Sequence, residues 1–473
     1  MHAPDKQPAR FVTDTWRPSR TILLLLSDCL VVLGIFWILV MLRNVFTPLS
    51  LELYLRLSPI LLLDPFLGQA LGTCQSIALP PPRELKALSL AITLAFTGLM
   101  IFMFATQSGA EVSRLVVLSA WLFSLLAVPV ARSQLRRRCC RSSWWASPLV
   151  LLGKENTDEL RANFEKYPER GLRFVAQLDG AFANGGLNEQ LVAAARRHPG
   201  AFILLLPDAL THHNSIGAQN LNALLSELNS HFRAVLFLPG FMAHNPLIWL
   251  TPRDLGSSAA LFVRQNLHDW RKLLLKRMLD LSLIAITSFL VLPLWIAIAL
   301  AIMFDSRGAP VYFQERVGRN GTRFRLCKFR TMAPNSDALL QKALDENSEL
   351  RREWERDRKL KKDPRVTRVG ATLRKTSLDE LPQLWNVLKG DMSLVGPRPI
   401  VESEIPKYGP AFKEYCRVSP GLTGLWQISG RNDTPYEERV RLDQHYVSNW
   451  SVWFDIWVLA KTVPVILSGH GAY

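Results

Sequence analysis

Cysteine and histidine are scarce in this chain, and their spacing argues against zinc and disulfide sites. The 473 residues include six cysteines and nine histidines, with no C-x-x-C pair and no cluster that combines the two types. A zinc site is therefore not expected, and nothing requires an oxidising compartment. Acidic residues are also few, at 40 Asp and Glu against 56 Lys and Arg. This surplus of positive charge implies an anionic partner: nucleic acid, acidic lipid or a phosphorylated substrate.

No cleavable signal peptide is predicted, because a polar segment precedes an apolar run long enough to span a bilayer and remain there. Three more apolar runs follow, and the four predicted transmembrane helices cover residues 21–42, 51–71, 87–106 and 112–130. The second run is weaker, since it carries Arg56, Pro59, Asp64 and Pro65. Asp28 in the first run is expected either to face a neighbouring helix or to lie near the interface.

Basic residues at the ends of these runs predict their orientation. A dense cluster after the fourth run, from Arg132 to Arg141, is typical of a cytoplasmic flank, and Arg17 and Arg20 mark the N-terminus in the same way. Residues 1–146 are therefore predicted to form a membrane domain with four transmembrane helices and both ends in the cytoplasm.

Residues 147–260 have the character of a soluble α/β domain. Helical stretches at 158–167 and 187–197 alternate with short apolar runs at 149–153, 172–178, 201–206 and 234–238. Such alternation predicts a parallel, Rossmann-like sheet. The first run ends at Gly153 without the G-x-G-x-x-G sequence of dinucleotide sites. A structural, regulatory or dimerising module is therefore favoured, and the pair His212-His213 is predicted to be solvated surface.

Residues 261–473 begin with a predicted basic linker helix at 261–276 and an apolar stretch at 278–304. Lysines and arginines flank this stretch on both sides, so both of its ends favour the cytoplasm. Pro293 lies near its middle and can break a helix. A re-entrant helix that enters the membrane, bends and returns satisfies both observations. The alternative is a fifth full transmembrane helix, which would place the following residues on the opposite side.

Two adjacent acids, Asp379 and Glu380, stand at the start of a short predicted helix that ends at Gly390. Its apolar face, at helical spacing, consists of Leu381, Leu384, Trp385 and Leu388. The N-cap is either Ser377, in a capping box with Glu380, or Asp379 itself.

Both registers place the two acids at a helix start that favours anions, near the cations Arg374, Lys375 and Arg398. This setting is expected to keep Asp379 ionised, as a nucleophile or a Mg²⁺ ligand must be. Capping alone is the alternative role for the pair.

An ordered series of motifs surrounds the acids. In chain order it comprises Lys328-Phe329-Arg330-Thr331-Met332, 374–380, 386–391, Gly396-Pro397-Arg398-Pro399, 420–424 and Ser429-Gly430-Arg431-Asn432. The series resembles the monotopic polyprenyl-phosphate phosphoglycosyl transferases of the bacterial sugar-transferase type. With its N-terminal organisation, the whole chain is similar to the long form of that family.

The resemblance implies a reaction and roles for the matching residues. A phosphosugar, with galactose 1-phosphate as the first choice, would pass from a UDP-sugar to undecaprenyl phosphate with release of UMP. Asp379 would be the nucleophile and Glu380, together with Asp379, would bind Mg²⁺. Arg374 and Arg398 would hold phosphate oxygens bidentately. Further substrate contacts would come from Lys328, Arg330, Arg431 and Asn432, and Asp391 is either another acid of the site or a turn residue.

The family also implies a setting for the chain. It implies a re-entrant helix whose usual Ser-Pro break reads Leu292-Pro293 here, the bacterial inner membrane with soluble domains in the cytoplasm, and a homodimer. The pathway would be O-antigen, capsule or exopolysaccharide synthesis.

Three other functions stay open: a glucose 1-phosphate transferase of the same class, a membrane scaffold, and an inverting glycosyltransferase that releases UDP.

Three remaining segments complete the C-terminal domain, which is expected to be mainly helical. The basic segment 308–332 carries no known nucleic-acid motif, so acidic headgroups and phosphates explain it better than nucleic acid. Charges at helical spacing predict a solvated helix over 336–363. The Trp-rich run 450–466 predicts a helix that lies in the membrane interface or packs in the core.

Overall fold

The computed structural model describes residues 18–73, 80–140, 142, 144–154, 157–178, 189–206, 228, 231–238, 250–254, 259–263, 266–334, 336–346, 349–352, 363–430 and 434–468. The pair His212-His213 lies outside these ranges. The chain divides into two units, residues 1–246 and 247–473, which are described separately. The predicted division into three domains stays a prediction.

Three helices of the first unit are long and apolar enough to cross a membrane. They are α1 (Pro18–Phe46), α4 (Pro81–Ala105) and α5 (Arg114–Cys139). Between α1 and α4 lie α2 (Leu51–Leu57), a 3₁₀ helix (Ser58–Leu62) and α3 (Leu63–Ala70). Apolar side chains from all of the long helices, among them Phe36, Leu99 and Val116, form one buried core.

The second predicted transmembrane segment is irregular, because Pro59 lies in the first turn of the 3₁₀ helix and lacks a backbone N–H. The segment contacts α5 at two places. The Tyr54 hydroxyl accepts from the N–H of Ser113 at 2.7 Å, and the Thr73 carbonyl accepts from Arg132 at 3.2 Å. Three of the four predicted N-terminal spans are therefore continuous helices, whereas the second is divided into α2, the 3₁₀ helix and α3.

A buried ion pair joins α1 to α5. The Nε of Arg132 donates to Oδ1 of Asp28 at 2.9 Å, and neither side chain is more than 2% exposed. Glu84 of α4 contacts Arg132 at 3.4 Å and also accepts from Arg136 at 2.8 Å. Asp28 therefore faces a neighbouring helix, which confirms the first of its two predicted environments.

A parallel sheet follows the bundle, as predicted. Its strands are β1 (Ser147–Leu152), β2 (Leu172–Leu178), β3 (Phe202–Leu205) and β4 (Ala234–Phe237), in the order β2-β1-β3-β4. The crossovers contain α6 (Thr157–Lys166) and α7 (Glu189–Arg197). Every residue of β1 and β3 is buried, which explains why these strands are continuous apolar runs in the sequence.

The second unit begins with an antiparallel pair, β5 (Leu250–Asp254) and β6 (Ala259–Val263). The predicted linker helix over 261–276 is therefore wrong at its start, because residues 261–263 pair with β5. A single helix, α8 (Trp270–Asp305), begins after Asp269, whose carboxylate accepts from the N–H of Arg271 at 3.1 Å.

Helix α8 is apolar and long enough to span a membrane, and its contacts are confined to its two ends. Buried side chains occur near the start at Asp280 and Ile284 and near the end at Ile298 and Ile302. Residues 285–290 between them are all exposed. The hydroxyl of Thr287 bonds back to the carbonyl of Leu283 at 2.7 Å, one turn and a half before Pro293.

The remainder of the second unit is mainly helical, as predicted, with two small sheets. The hairpin β7 (Val311–Val317) and β8 (Arg323–Phe329) is antiparallel, and β9 (Ser393–Val395) is parallel to β10 (Gly421–Thr423). The helices are α9 (Ser336–Glu346), α10 (Arg368–Thr376), α11 (Gln383–Lys389), α12 (Ile405–Tyr408), α13 (Ala411–Tyr415), α14 (Leu425–Ser429), α15 (Tyr436–Asn449) and α16 (Val452–Ser468).

The Trp-rich run at the end of this unit contributes to its core. Trp450 is 2% exposed and its indole N–H donates to the Asp455 carboxylate at 3.1 Å. Core packing therefore explains Trp450, whereas Trp453 and Trp457 are half-buried.

The buried pair of the bundle generates a stability prediction. Arg132→Met leaves the Asp28 carboxylate buried without its partner, so we expect the unfolding free energy to fall by about 3–5 kcal/mol. The double variant Asp28→Leu/Arg132→Met should recover most of that loss. Thermal unfolding in lipid nanodiscs measures the effect, with exposed Arg137→Met as the control. Equal unfolding temperatures for Arg132→Met and Arg137→Met would contradict a structural role for the pair.

Candidate active site

Asn386 fixes the strand that carries Lys328. Its Oδ1 accepts from the N–H of Cys327 at 3.0 Å, and its Nδ2 donates to the carbonyl of Arg325 at 2.7 Å. Asn386 itself lies in α11 and is buried. Two side-chain bonds therefore hold β8 against α11, next to the turn that carries the two acids.

The turn with the acids differs from the predicted helix start. Helix α10 ends at Thr376, and Ser377 follows in a left-handed conformation with a φ of 56°. Asp379 and Glu380 then lie in a short 3₁₀ turn, and Ser377 makes no side-chain cap. Both predicted N-caps are therefore wrong, because Ser377 closes the preceding helix and Pro382, not Asp379, is the cap residue of α11. The predicted stop is confirmed, since Gly390 ends α11 with a φ of 100°.

The buried face of α11 is also different from the prediction. Trp385 is 64% exposed and Leu388 is 43% exposed. Gln383, Asn386 and Val387 are buried in their place. The polar bonds of Asn386 to β8 require this rotation, because an unpaired amide in the interior costs more than two exposed apolar side chains.

Lys328 contacts both acids. Its ammonium nitrogen lies 2.8 Å from Oε1 of Glu380 and 3.9 Å from Oδ2 of Asp379. Burial alone would lower the pKa of Lys328, but the two carboxylates raise it above its ordinary value. The lysine therefore carries its positive charge between the acids at neutral pH.

The pKa values of the two carboxyls shift in opposite directions. Burial raises the pKa of Asp379, while Lys328 and Arg374 oppose that change. Burial would also raise the pKa of Glu380, but Lys328, Arg398 and a hydrogen bond from Gln383 lower it below its ordinary value. The cations therefore lower the pKa of Glu380, as expected, whereas burial raises the pKa of Asp379 in spite of them.

Arg374 is anchored beside the acids. Its Nε donates to Oγ1 of buried Thr331 at 3.0 Å. Helix α10 can approach Thr331 closely because Gly370 has no side chain: a Cβ there would lie 2.2 Å from the Thr331 carbonyl oxygen. Arg374 is close enough to lower the pKa of Asp379, and its remaining N–H groups have no other hydrogen-bond partner in the described part of the chain.

The other predicted site residues fall into two groups. Arg398 lies over the Trp426 ring at 5.2 Å and is close enough to lower the pKa of Glu380. Arg330 donates to the carbonyls of Ser306 and Arg307, at 2.7 and 3.1 Å, after the end of α8. Its predicted contact with the substrate stays a prediction. Arg431 and Asn432 lie outside the described residues.

Asp391 follows Gly390 at the end of α11. Its Oδ2 lies 3.2 Å from the Lys389 ammonium and 3.4 Å from Nδ2 of Asn386. Both of the roles predicted for Asp391 stay predictions.

Sequence reasoning missed three positioning residues: Thr331, Gln383 and Asn386. Thr331 and Asn386 belong to the quoted motifs, so their position in those motifs was the available signal. Gln383 stood between two leucines of the assumed apolar face, where a polar residue was a sign that the face had been assigned wrongly.

The part of the chain that contains the site matches a known protein family. The sequence profile of the family described as "Bacterial sugar transferase" matches residues 271–469. The UDP-galactose-lipid carrier transferase of Erwinia amylovora is 38% identical over 374 residues, which is 77% of each chain. The undecaprenyl-phosphate galactose phosphotransferase of Salmonella typhimurium is 35% identical over the same shares. The undecaprenyl-phosphate glucose phosphotransferase of Komagataeibacter xylinus is 34% identical over 64% of this chain and 56% of its own.

Proposed function

Because the chain belongs to the bacterial sugar transferase family, we propose that it transfers galactose 1-phosphate from UDP-galactose to undecaprenyl phosphate and releases UMP. The chain is a transferase of polysaccharide synthesis with apolar helices long enough to span a membrane. The observation that carries the proposal is the pair Asp379-Glu380 around the Lys328 ammonium. That arrangement supplies a carboxylate nucleophile next to a fixed positive charge.

Galactose is the first choice of sugar because this chain matches a larger share of the relatives named for galactose than of the relative named for glucose. The two relatives named for galactose match over 77% of their own lengths, whereas the relative named for glucose matches over 56%. Transfer of glucose 1-phosphate by the same residues is the alternative.

The proposed reaction has two displacements at one phosphorus atom. An Asp379 oxygen attacks the phosphorus next to the sugar, the bond from that phosphorus to the UMP oxygen breaks, and UMP leaves. A phosphate oxygen of undecaprenyl phosphate then attacks the same phosphorus. The bond to Asp379 breaks, the carboxylate is restored, and undecaprenyl-diphosphate-galactose is formed. The covalent intermediate divides one difficult displacement into two easier ones.

The cations of the site support this sequence. Asp379 must be ionised to attack, yet burial raises its pKa, so Lys328 and Arg374 are needed to favour the carboxylate. Arg374, fixed by Thr331, has N–H groups available for the phosphate oxygens of the donor. Arg398 would hold phosphate oxygens from the other side of Glu380.

The two carboxylates fit Mg²⁺. Glu380 is 38% exposed and Asp379 is 17% exposed, so both offer oxygen atoms at an open site. Mg²⁺ is commonly held by one or two carboxylates, water and substrate phosphates. We propose Glu380 as its main ligand, with Asp379 as the second. When bound, the ion would neutralise part of the negative charge of the diphosphate.

The proposal includes a re-entrant α8. The middle of α8 is exposed, whereas side chains on both sides of it are buried. This pattern supports a helix whose middle leaves the protein surface and enters lipid. Helix α8 continues through Pro293 to Asp305, and Pro293 and the backbone-bonded hydroxyl of Thr287 would allow a bend in its middle. The bacterial inner membrane, the cytoplasmic orientation, the Rossmann-like character of the middle domain and a homodimer are proposed from the family resemblance.

The nucleotide product tests the reaction class. Full-length protein in nanodiscs, with undecaprenyl phosphate, Mg²⁺ and a panel of UDP-sugars, is expected to release UMP from UDP-galactose. Chromatography separates UMP from UDP, and UDP-glucose is the critical comparison. Release of UDP would contradict the phosphosugar mechanism, and no release from any sugar would favour a scaffold.

Replacing Lys328 tests the electrostatics. In Lys328→Met the pKa of Asp379 should rise further, so the carboxylate forms only at higher pH. We expect kcat to fall about 100-fold and the acid limb of the pH–rate profile to move to higher pH. Lys389→Met is the matched control, since Lys389 is 62% exposed and pairs with Asp391. An unmoved acid limb in Lys328→Met would contradict this role.

Labelling of single cysteines tests the re-entrant helix. In a variant without native cysteines, we expect Arg307→Cys to react with a membrane-impermeant maleimide only after cell lysis. Glu111→Cys, in the loop predicted to be periplasmic, should react in intact cells with a permeabilised outer membrane. Reaction of Arg307→Cys before lysis would instead indicate a fifth full span.

A further inference from the structure

Three arginines of the second unit lie together: Arg316 in β7, Arg398 after β9, and Arg439 in α15. Residues one or two positions after them in sequence, Val317, Ile400 and Val440, pack in one apolar cluster. The N–H of Val317 also donates to the carbonyl of Ile400 at 2.9 Å. The fold therefore holds the three arginines at one place by a shared apolar base.

Trp426 provides a platform for two of them. The guanidinium carbon of Arg398 lies 5.2 Å from the centre of the Trp426 ring, and that of Arg439 lies 4.6 Å from it. Cation–π contacts attract each arginine to the ring but do not remove its charge. Two positive groups thus share one indole side chain.

The hydrogen-bonding capacity of the cluster is almost unused. Each guanidinium has five N–H donors. Within the described residues, the only hydrogen bond from the three guanidinium groups is that of Arg316 to Oε1 of Gln314, at 2.7 Å. The Nε atoms of Arg316 and Arg439 are buried without a partner. Unpaired buried donors are costly, so the arrangement is incomplete without an acceptor.

The positive charge is also poorly neutralised. None of the three arginines forms an ion pair with a described acid, and burial and Arg398 together lower the pKa of both Arg316 and Arg439. Glu404 opposes this effect from a distance beyond an ion pair, with its carboxylate held by the N–H of Val401 at 3.0 Å. Burial raises the pKa of Asp443 to about 7, so that carboxyl is a weak counter-charge at neutral pH.

We propose that Arg316, Arg398 and Arg439 bind a phosphate monoester at a subsite distinct from the acid pair. Guanidinium groups match phosphate oxygens in pairs, and three of them suit a dianion. Arg398 also acts on Glu380, so the subsite lies beside the reacting centre. The inference rests on the proposed function, in which two phosphate monoesters occur: the leaving nucleotide and polyprenyl phosphate. The nucleotide is the first choice, because its phosphate gains negative charge as the bond to the sugar phosphate breaks.

Binding measurements test the subsite without turnover. Isothermal titration of the full-length protein in nanodiscs would measure the affinities of UMP and of a short-chain polyprenyl phosphate. We expect Arg316→Gln and Arg439→Gln each to weaken UMP binding at least 10-fold. Arg441→Gln is the matched control, since Arg441 is 63% exposed on the same helix and 3.9 Å from Glu438. It should bind UMP as the wild type does.

The outcomes are distinct. A loss confined to polyprenyl phosphate would support the phosphate subsite and assign it to the lipid. Unchanged affinity for both ligands in both variants would overturn the proposal. Because Arg439→Gln removes repulsion within the cluster, its unfolding temperature without ligand should not fall. Arg439→Lys, which keeps the charge but not the paired donors, should bind with intermediate affinity.

Failure of the proposed function is separable from failure of this inference. If the wild type releases no UMP from any UDP-sugar, the transferase proposal fails. Titration with inorganic phosphate would still report on the arginines: weaker binding in Arg439→Gln than in Arg441→Gln supports the subsite, and equal binding contradicts it.

Discussion

The contact of Lys328 with Asp379 and Glu380 is the interaction on which the candidate site depends. Two adjacent carboxylates repel each other, and burial favours their neutral forms. A lysine 2.8 Å from one and 3.9 Å from the other reverses that preference at Glu380 and weakens it at Asp379. Lys328 reaches this position only because Asn386 bonds β8 on both sides of Leu326. A structural amide therefore determines the electrostatics of the acids.

The charged groups of the protein show how structural and reactive sites differ. At Asp28, both carboxylate oxygens accept from Arg132 and the pair is closed to solvent. At Glu380 the carboxylate has a partner but is 38% exposed. The arginines around Trp426 have charge and donors in excess of their partners. Closed pairs stabilise a fold, whereas the groups left open at the acids and the arginines are those that can accept a charged ligand.

The sequence predicted the features that depend on local pattern. Apolar runs predicted the long helices, alternation of strands and helices predicted the parallel sheet, and Gly390 predicted the end of α11. The errors occurred where distant residues decide the outcome. The face of α11 depends on bonds from Asn386 to Arg325 and Cys327, which no local periodicity contains.

Another difference has the same physical origin. The start of the predicted linker helix is part of a strand because residues 261–263 pair with β5. The arginine subsite could not be predicted from the sequence, for a related reason. Arg316, Arg398 and Arg439 are far apart in the sequence, and only the packing of Val317, Ile400 and Val440 brings them together.

The most direct test of the central claim is covalent labelling of Asp379. Full-length protein is incubated with UDP-galactose and Mg²⁺ without undecaprenyl phosphate, and the peptide that contains residues 374–389 is analysed by mass spectrometry. The account predicts a phosphogalactose adduct on Asp379, formed together with UMP, that disappears when undecaprenyl phosphate is added and never forms in Asp379→Asn. An adduct that persists in Asp379→Asn, or UMP release without any adduct, would contradict Asp379 as the nucleophile.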